Sequence, residues 1–173
     1  IDGHGQLYNI DDSVQSEQKS LYLGNDQTMI FWEDKRFYNE WIDYSYFSTS
    51  YTFGIIFDKD YDTSSLINGD NLFDNYNQTQ PQAILVNDKI HLGYLGKSDG
   101  GEKVVRNQVL DLEFTQLNGA EGTQIDPEPW TTQNNFSNTM SEDGLIYVAY
   151  SKSSFSSLLY PEVWLEVLDT DGN

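Results

Sequence analysis

Two acidic turns carry oxygen-bearing side chains at alternate positions, a spacing at which they can converge on one ion. The residues are Asp58, Asp60 and Asp62 in the first turn, and Asp169, Asp171 and Asn173 in the second. Calcium takes about six to eight oxygen ligands, so these six residues are candidate calcium ligands, and calcium is the one cofactor that the sequence suggests. The same spacing suits Asx turns, in which the side chain bonds its own backbone. Both interpretations are open at this point.

A second group of residues has the chemistry to hold a sugar. The candidates are Trp41, Tyr44, Tyr46 and Trp130, which lie in or near predicted turns and strand ends. Aromatic faces can pack on sugar rings, while nearby carboxylates and amides can bond the hydroxyl groups. The alternative for any aromatic residue is the core, where we expect Trp32 and Trp164 because both lie on predicted strands.

No combination of residues predicts a catalytic site. The motifs of serine hydrolases, zinc peptidases, phosphate-binding loops and dinucleotide sites are absent from the sequence. Two carboxylates can hydrolyse a glycoside, but in a chain with 28 acidic residues a pair such as Glu33 and Asp34 identifies nothing. We therefore predict no catalytic residue and no enzymatic activity. Turnover of a polysaccharide by the purified protein would contradict this prediction.

The charge of the chain argues against several kinds of partner. The 28 acidic side chains outnumber the 9 basic ones, which gives a formal charge of -19. Binding to nucleic acid and to anionic membranes relies on Lys and Arg, so neither partner is expected. No apolar run approaches the roughly 20 residues that a membrane-spanning helix needs. Since the chain has no cysteine, it has neither disulfides nor thiolate metal sites.

Two anchors recur along the chain at similar spacings. The first is an apolar residue followed by Asp or Asn and a turn, at Ile1, Phe57, Leu117 and Leu168. The second is a strand that ends in an aromatic residue, at Trp32, Tyr94 and Tyr150, with spacings of 94 − 32 = 62 and 150 − 94 = 56. Because both anchors recur at similar intervals, the chain is predicted to consist of internal repeats.

The repeat predicts an all-β fold with three repeated four-stranded antiparallel units, over about 1–57, 58–117 and 118–168, in one domain of residues 1–173. The third unit lacks a fourth strand. Residues 5–10, near the N-terminus, follow the anchor at Ile1 and have the position in the repeat at which that fourth strand is expected. Such units suit the blades of a β-propeller, with a β-trefoil, or another β-sandwich or barrel, as the alternatives. On the central strands Gly93 and Ala149 share a face, where their small size predicts the close approach of another sheet.

The stretch after Trp32 resembles a bacterial secreted repeat of the form W-x-D-x-R, followed by D-I-Y-x-Q and L-D-x-x-G-N. The matching residues are Trp32, Asp34 and Arg36, then Ile42 and Tyr44, and finally residues 168–173. The resemblance implies blades of a β-propeller in an exported or surface protein. A propeller typically has about four to eight blades, so three units imply part of a larger or associating propeller.

These features favour a non-catalytic repeat module, extracellular or on a cell surface, that serves adhesion, scaffolding or assembly. Its expected partners are proteins or glycans, further repeats of a parent chain, or other copies of itself. The alternatives are a lectin-like carbohydrate-binding domain and a propeller fragment of a glycoside hydrolase or polysaccharide lyase. The start at Ile1, without a signal-like segment, indicates a processed product or a piece of a longer protein.

The calcium interpretation predicts that the metal stabilises the fold, because an ion that binds the folded chain shifts the unfolding equilibrium. Adding a chelator should therefore lower the melting temperature in a thermal scan. A melting temperature that does not change would count against a calcium site.

Overall fold

The computed structural model describes most of the chain. The described residues are 15–34, 50–57, 70–72, 78–98, 101–126, 131–154 and 161–172. Every regular element within these ranges is a β-strand. None of the described residues belongs to a helix that is long and apolar enough to cross a membrane. The all-β prediction is therefore confirmed.

The strands form three separate antiparallel sheets, each a meander in chain order. Sheet 1 has β1 (Gln15–Gly24), β2 (Gln27–Asp34), β3 (Tyr51–Phe57) and β4 (Asp70–Asn71). Sheet 2 has β5 (Thr79–Val86), β6 (Lys89–Lys97), β7 (Lys103–Leu110) and β8 (Thr123–Gln124). Sheet 3 has β9 (Thr131–Met140), β10 (Ile146–Ser154) and β11 (Glu162–Leu168).

Separate meanders correspond to propeller blades and not to one closed barrel, so the topology does not favour the trefoil alternative. The predicted repeat limits cut through the sheets. Residue 57 ends β3 and residue 117 precedes β8, so each of the first two limits separates a fourth strand from the sheet that contains it. The first and second sheets contain four strands, and the described part of the third contains three.

Two-residue turns join the first two strands of sheets 1 and 2. Asn25 and Asn87 have φ of 50°, and Asp26 and Asp88 have φ of 60° and 59°. Two successive residues with positive φ are what a type I′ hairpin turn needs, and Asn and Asp tolerate this conformation better than most residues. These turns fix the register of each hairpin.

The sheets pack face to face in chain order through two apolar cores. Met29 and Phe31 of sheet 1 meet Ile90 and Leu92 of sheet 2 in the first core. The second core lies between sheets 2 and 3, where Phe136 is one of the contributing residues. A Cβ atom on Gly93 would lie 2.6 Å from Cε2 of Phe136, so the close approach predicted at Gly93 is confirmed.

A glutamine joins each pair of neighbouring sheets. Gln133 Oε1, at the start of β9, accepts a hydrogen bond from the backbone N–H of Val105 in sheet 2, at 2.6 Å. Gln78 Oε1, just before β5, accepts the equivalent bond from the N–H of Thr52 in sheet 1, at 3.1 Å. Both glutamines are buried. We call this contact the glutamine clasp.

The first strand of every sheet contains a β-bulge close to its start. The register shifts lie between Ser16 and Lys19 in β1, between Thr79 and Gln82 in β5, and opposite Ala149 and Ser151 in β9. One residue in each bulge has positive φ: Glu17 at 56°, Gln80 at 56° and Asn135 at 45°. Bulges re-aim side chains and recur beside functional sites. The bulges therefore make this end of the sheets a candidate functional site.

The clasp predicts a specific loss of stability in the Gln133→Ala variant. The substitution leaves the buried Val105 N–H without its acceptor, which should lower the free energy of unfolding by about 1–3 kcal/mol in a urea titration. Gln18→Ala is the matched control, since Gln18 is an exposed glutamine on β1. We expect the control to change stability by less than about 0.5 kcal/mol. Equal effects of the two variants would contradict a role for the clasp.

Candidate functional site at the bulge end

The end of the three sheets at which β1, β5 and β9 begin is called here the bulge end. Neighbouring first strands contact each other, β1 with β5 and β5 with β9, so they line the inner side of the stacked sheets. The three bulge residues stand on these strands: Glu17 and Asn135 are exposed, and Gln80 is half-buried. One carboxylate and two amides are thus presented from three successive sheets.

The segments that contain the predicted sugar ligands join described strands at this end. Residues 35–49 leave β2 at Asp34 and lead back to Ser50, just before β3, and residues 127–130 connect Asp126 to the start of β9. Trp41, Tyr44, Tyr46 and Trp130 themselves lie outside the described residues. Chain connectivity thus ties the segments of all four to the end of the sheets that carries the bulge residues.

Two carboxylates of sheet 1 are buried at the bulge end. Glu33 is 6% exposed and Asp34 is fully buried. Asp34 Oδ2 accepts a hydrogen bond from Trp32 Nε1 at 3.0 Å, and Glu33 Oε2 accepts one from the backbone N–H of Gln80 at 3.4 Å. Neighbouring residues on a strand point to opposite faces, so Glu33 and Asp34 do not flank a common space. Their geometry is not that of two carboxylates on either side of one glycosidic bond.

A buried ion pair joins sheets 2 and 3 at the same end. Lys152 Nζ lies 2.5 Å from Asp126 Oδ2, and the same carboxylate oxygen accepts a hydrogen bond from Tyr150 at 3.0 Å. Lys152 Nζ also lies 4.3 Å from the centre of the Trp164 ring. The prediction that Trp164 is core is wrong, because its side chain is 40% exposed. One face of the indole covers the lysine, a cation–π contact that helps to compensate a desolvated charge.

The equivalent aromatic residue of sheet 2 also makes a polar contact, with the segment that leads into β8. The Tyr94 hydroxyl donates to the carbonyl of Glu121 at 2.7 Å, and Arg106 NH2 lies 3.3 Å from Glu121 Oε2. Burial raises the pKa of Tyr94, so its hydroxyl stays neutral and remains a donor. Trp32, Tyr94 and Tyr150 are all buried, and each makes a hydrogen bond with its polar atom. The aromatic anchors are therefore structural.

The candidate calcium ligands that are described lie at the opposite end. Asp169 Oδ1 accepts a hydrogen bond from the backbone N–H of Asp171 at 2.9 Å, which is an Asx turn. Asp171 Oδ1 lies 2.7 Å from Lys89 Nζ. Asp58, Asp60, Asp62 and Asn173 lie outside the described residues. No group of three or more acidic or histidine side chains suited to a metal occurs within the described part of the chain. Calcium binding stays a prediction.

Sequence reasoning missed the glutamines and the bulges, although the sequence contains a signal for them. Gln15 and Gln133 each pair with the residue two positions past the aromatic anchor, and Gln78 directly precedes β5, with spacings of 78 − 15 = 63 and 133 − 78 = 55. These spacings are each within one residue of the spacings between the aromatic anchors, which are 62 and 56. A search for polar residues at the anchor period would have found them.

Comparison with known proteins gives a likeness at the level of structure alone. No protein-family model matches the sequence, and no curated protein does. A thermostable family-43 glycoside hydrolase matches with a TM-score of 0.52 and 11% identity, over 92% of this chain and 49% of that one. A GH43_1 enzyme from Xanthomonas citri matches with a TM-score of 0.43 and 12% identity, over 81% of this chain and 41% of that one.

A third solved structure is a GH43 β-xylosidase/α-arabinofuranosidase from a compost microbial metagenome, with a TM-score of 0.40 and 12% identity, over 81% of this chain and 43% of that one. The chain thus spans about half the length or less of each of these three structures. Identities this low show the fold alone. The match with a TM-score of 0.52, together with the three stacked meanders, shows that the fold is propeller-like.

Proposed function

We propose that this chain is part of a carbohydrate-binding propeller of the glycoside hydrolase kind and that the sugar binds at the bulge end. One observation carries the proposal: the polar bulge residues of three sheets lie at the end where residues 35–49 and 127–130 join the described strands. Glu17, Gln80 and Asn135 offer hydrogen-bonding groups for sugar hydroxyls. The segments with Trp41, Tyr44, Tyr46 and Trp130 offer flat apolar rings for sugar faces.

The likeness to a family-43 glycoside hydrolase supports the carbohydrate part of this proposal. The buried charges of the bulge end support binding more than hydrolysis. Asp126 and Lys152 are paired with each other, while Glu33 and Asp34 point to opposite faces. In this proposal the described sheets bind and orient a saccharide, and acid–base residues for any hydrolysis come from outside the described ranges.

The extracellular or cell-surface location expected from the sequence is part of the same proposal, because a polysaccharide ligand is met outside the cell. The glycan partner expected from the sequence becomes the main ligand here. Adhesion or scaffolding through protein contacts remains a prediction.

The proposal predicts that aromatic residues of the bulge-end segments contribute to affinity for a polysaccharide. The Trp41→Ala and Trp130→Ala variants should each bind soluble arabinoxylan about tenfold more weakly in affinity electrophoresis, because each loses a stacking surface. Tyr22→Ala is the matched control, since Tyr22 is 64% exposed and lies near the far end of β1. The control should bind like the unchanged chain.

Two results would contradict this proposal. One is the absence of binding to arabinoxylan and to every saccharide of a glycan array. The other is a loss of affinity in Tyr22→Ala as large as in Trp41→Ala, which would place the sugar elsewhere or make the loss nonspecific.

A further inference from the structure

One face of sheet 3 is apolar and open. On β11 the side chains of Val163, Leu165 and Val167 point to this face, with exposures of 84%, 59% and 47%. They are paired with Ser151, Ala149 and Tyr147 of β10, which lie on the same face. We call these six residues the open face. β11 is the edge strand of its sheet, so its outward backbone groups have no neighbouring strand among the described residues.

The equivalent faces of the other two sheets are buried. Val163 pairs with Ser151, the residue that follows the aromatic anchor Tyr150. The residues that pair with the corresponding position in the other sheets are Val105 in sheet 2 and Thr52 in sheet 1. Val105 is 1% exposed and Thr52 is fully buried, against 84% for Val163. Gly93 of sheet 2, the equivalent of Ala149, is likewise buried. The open face is therefore the third copy of a surface that is covered twice within this chain.

Both buried copies are covered in the same way, by the first strand of the next sheet. On sheet 2 the clasp of Gln133 bonds Val105, and three positions further along the ring of Phe136 packs over Gly93. On sheet 1 the clasp of Gln78 bonds Thr52, and three positions further along is the buried Pro81. The covering strand thus reads glutamine, two polar residues, then an apolar residue, with the bulge between them.

A cleft of about 460 Å³ lies where such a strand would sit on the open face. Its wall includes Ala149, Ser151 and Val163, the equivalents of the positions that β9 covers on sheet 2. Phe136 and Ser137 of β9 also line the cleft, together with the bulge residues Gln80 and Asn135. The position of the cleft suits an incoming first strand, and Phe136, Ala149 and Val163 supply apolar surface for the apolar residue of that strand.

We propose that the open face is a docking surface for a fourth blade of the same propeller, whose first strand carries a glutamine followed three residues later by an apolar side chain. The glutamine would accept the Val163 N–H, and the apolar residue would pack over Ala149. The two interfaces already present in the chain are the template, and a propeller typically has about four to eight blades. This inference does not depend on sugar binding, although the cleft shares Gln80 and Asn135 with the proposed sugar-binding surface.

A second copy of the chain is a poorer occupant of the same surface. Its first strand has Gln15 at the clasp position, but the residue three positions further along is Gln18, which is polar and exposed. Each copy also has a formal charge of -19, so association of two copies is opposed by charge repulsion. A blade with an apolar residue three positions after its clasp glutamine can cover Ala149 with an apolar side chain, which the polar Gln18 cannot do.

The absence of cysteine makes a labelling test possible. In the Val163→Cys variant the thiol is the only one in the chain and should react quickly with a thiol reagent. A tandem protein is then made, in which a flexible linker of about ten residues follows residue 173 and leads into a second copy of residues 131–172. This added blade carries its own Gln133 and Phe136. Labelling of the first Val163→Cys should become at least about tenfold slower, because docking restricts access.

Variants within the added blade alone make the test specific. Combining Gln133→Ala with Phe136→Ser there should restore fast labelling, whereas Thr139→Ala there should leave the slow rate unchanged, since Thr139 is exposed. A Tyr22→Cys variant should label at the same rate with and without the added blade, because Tyr22 lies on β1.

Either of two outcomes would overturn the proposal. If the added blade does not slow the labelling of Val163→Cys, then the open face does not accept such a strand. If the 173-residue chain without an added blade already labels slowly and sediments as a dimer, then a second copy covers the face.

Discussion

The arrangement of the three sheets depends on one constraint, that a buried backbone N–H must find an acceptor. The fourth strands of sheets 1 and 2 are two residues long, and they pair with Phe53 and Gly54 in one case and with Arg106 and Asn107 in the other. The N–H groups of Thr52 and Val105 lie just outside this pairing. The side-chain oxygen of a glutamine from the next sheet accepts a hydrogen bond from each of these N–H groups. The clasp therefore determines where the first strand of that next sheet begins.

The position of the clasp has a direct consequence for the bulge end. Because Gln78 and Gln133 fix where the first strands of sheets 2 and 3 begin, the bulge two residues later falls at the same height in both sheets. Gln80 and Asn135 are thus brought to one end by the contact that joins the sheets, and Glu17 lies in the corresponding bulge of β1. The polar contacts of Trp32 and Tyr150 then stabilise that end from the second strands of sheets 1 and 3. A structural requirement and a candidate binding surface share one part of the molecule.

Much of the framework could be predicted from the sequence because it rests on local patterns. The central strands and their aromatic anchors follow from apolar alternation, and the size of Gly93 predicts a close neighbour. The asparagine–aspartate turns after Gly24 and Val86 carry a further signal of hairpins, spaced 87 − 25 = 62 residues apart like the first two anchors. Local patterns thus identify strands, turns and faces.

The burial of individual side chains and the contacts between sheets depend on which sheet surfaces pack together. Local sequence patterns do not contain this information. Trp164 lies on a strand as expected, yet it is 40% exposed because β11 is at the edge of sheet 3. Gln133 looks like an ordinary surface residue in the sequence, and its role appears only when β9 packs on β7. Lys152 is buried because Asp126, 26 residues earlier in the chain, supplies its counter-charge. Such contacts follow from the packing of whole sheets.

Glutamine clasps seal two of the three equivalent sheet surfaces, and residue-resolved amide hydrogen exchange on the 173-residue chain can measure this. We expect the Thr52 and Val105 amides to exchange at least about tenfold more slowly than the Val163 amide, since only the first two have a clasp. Equal exchange rates at the three positions would contradict it, because the sheets would then not be joined as described.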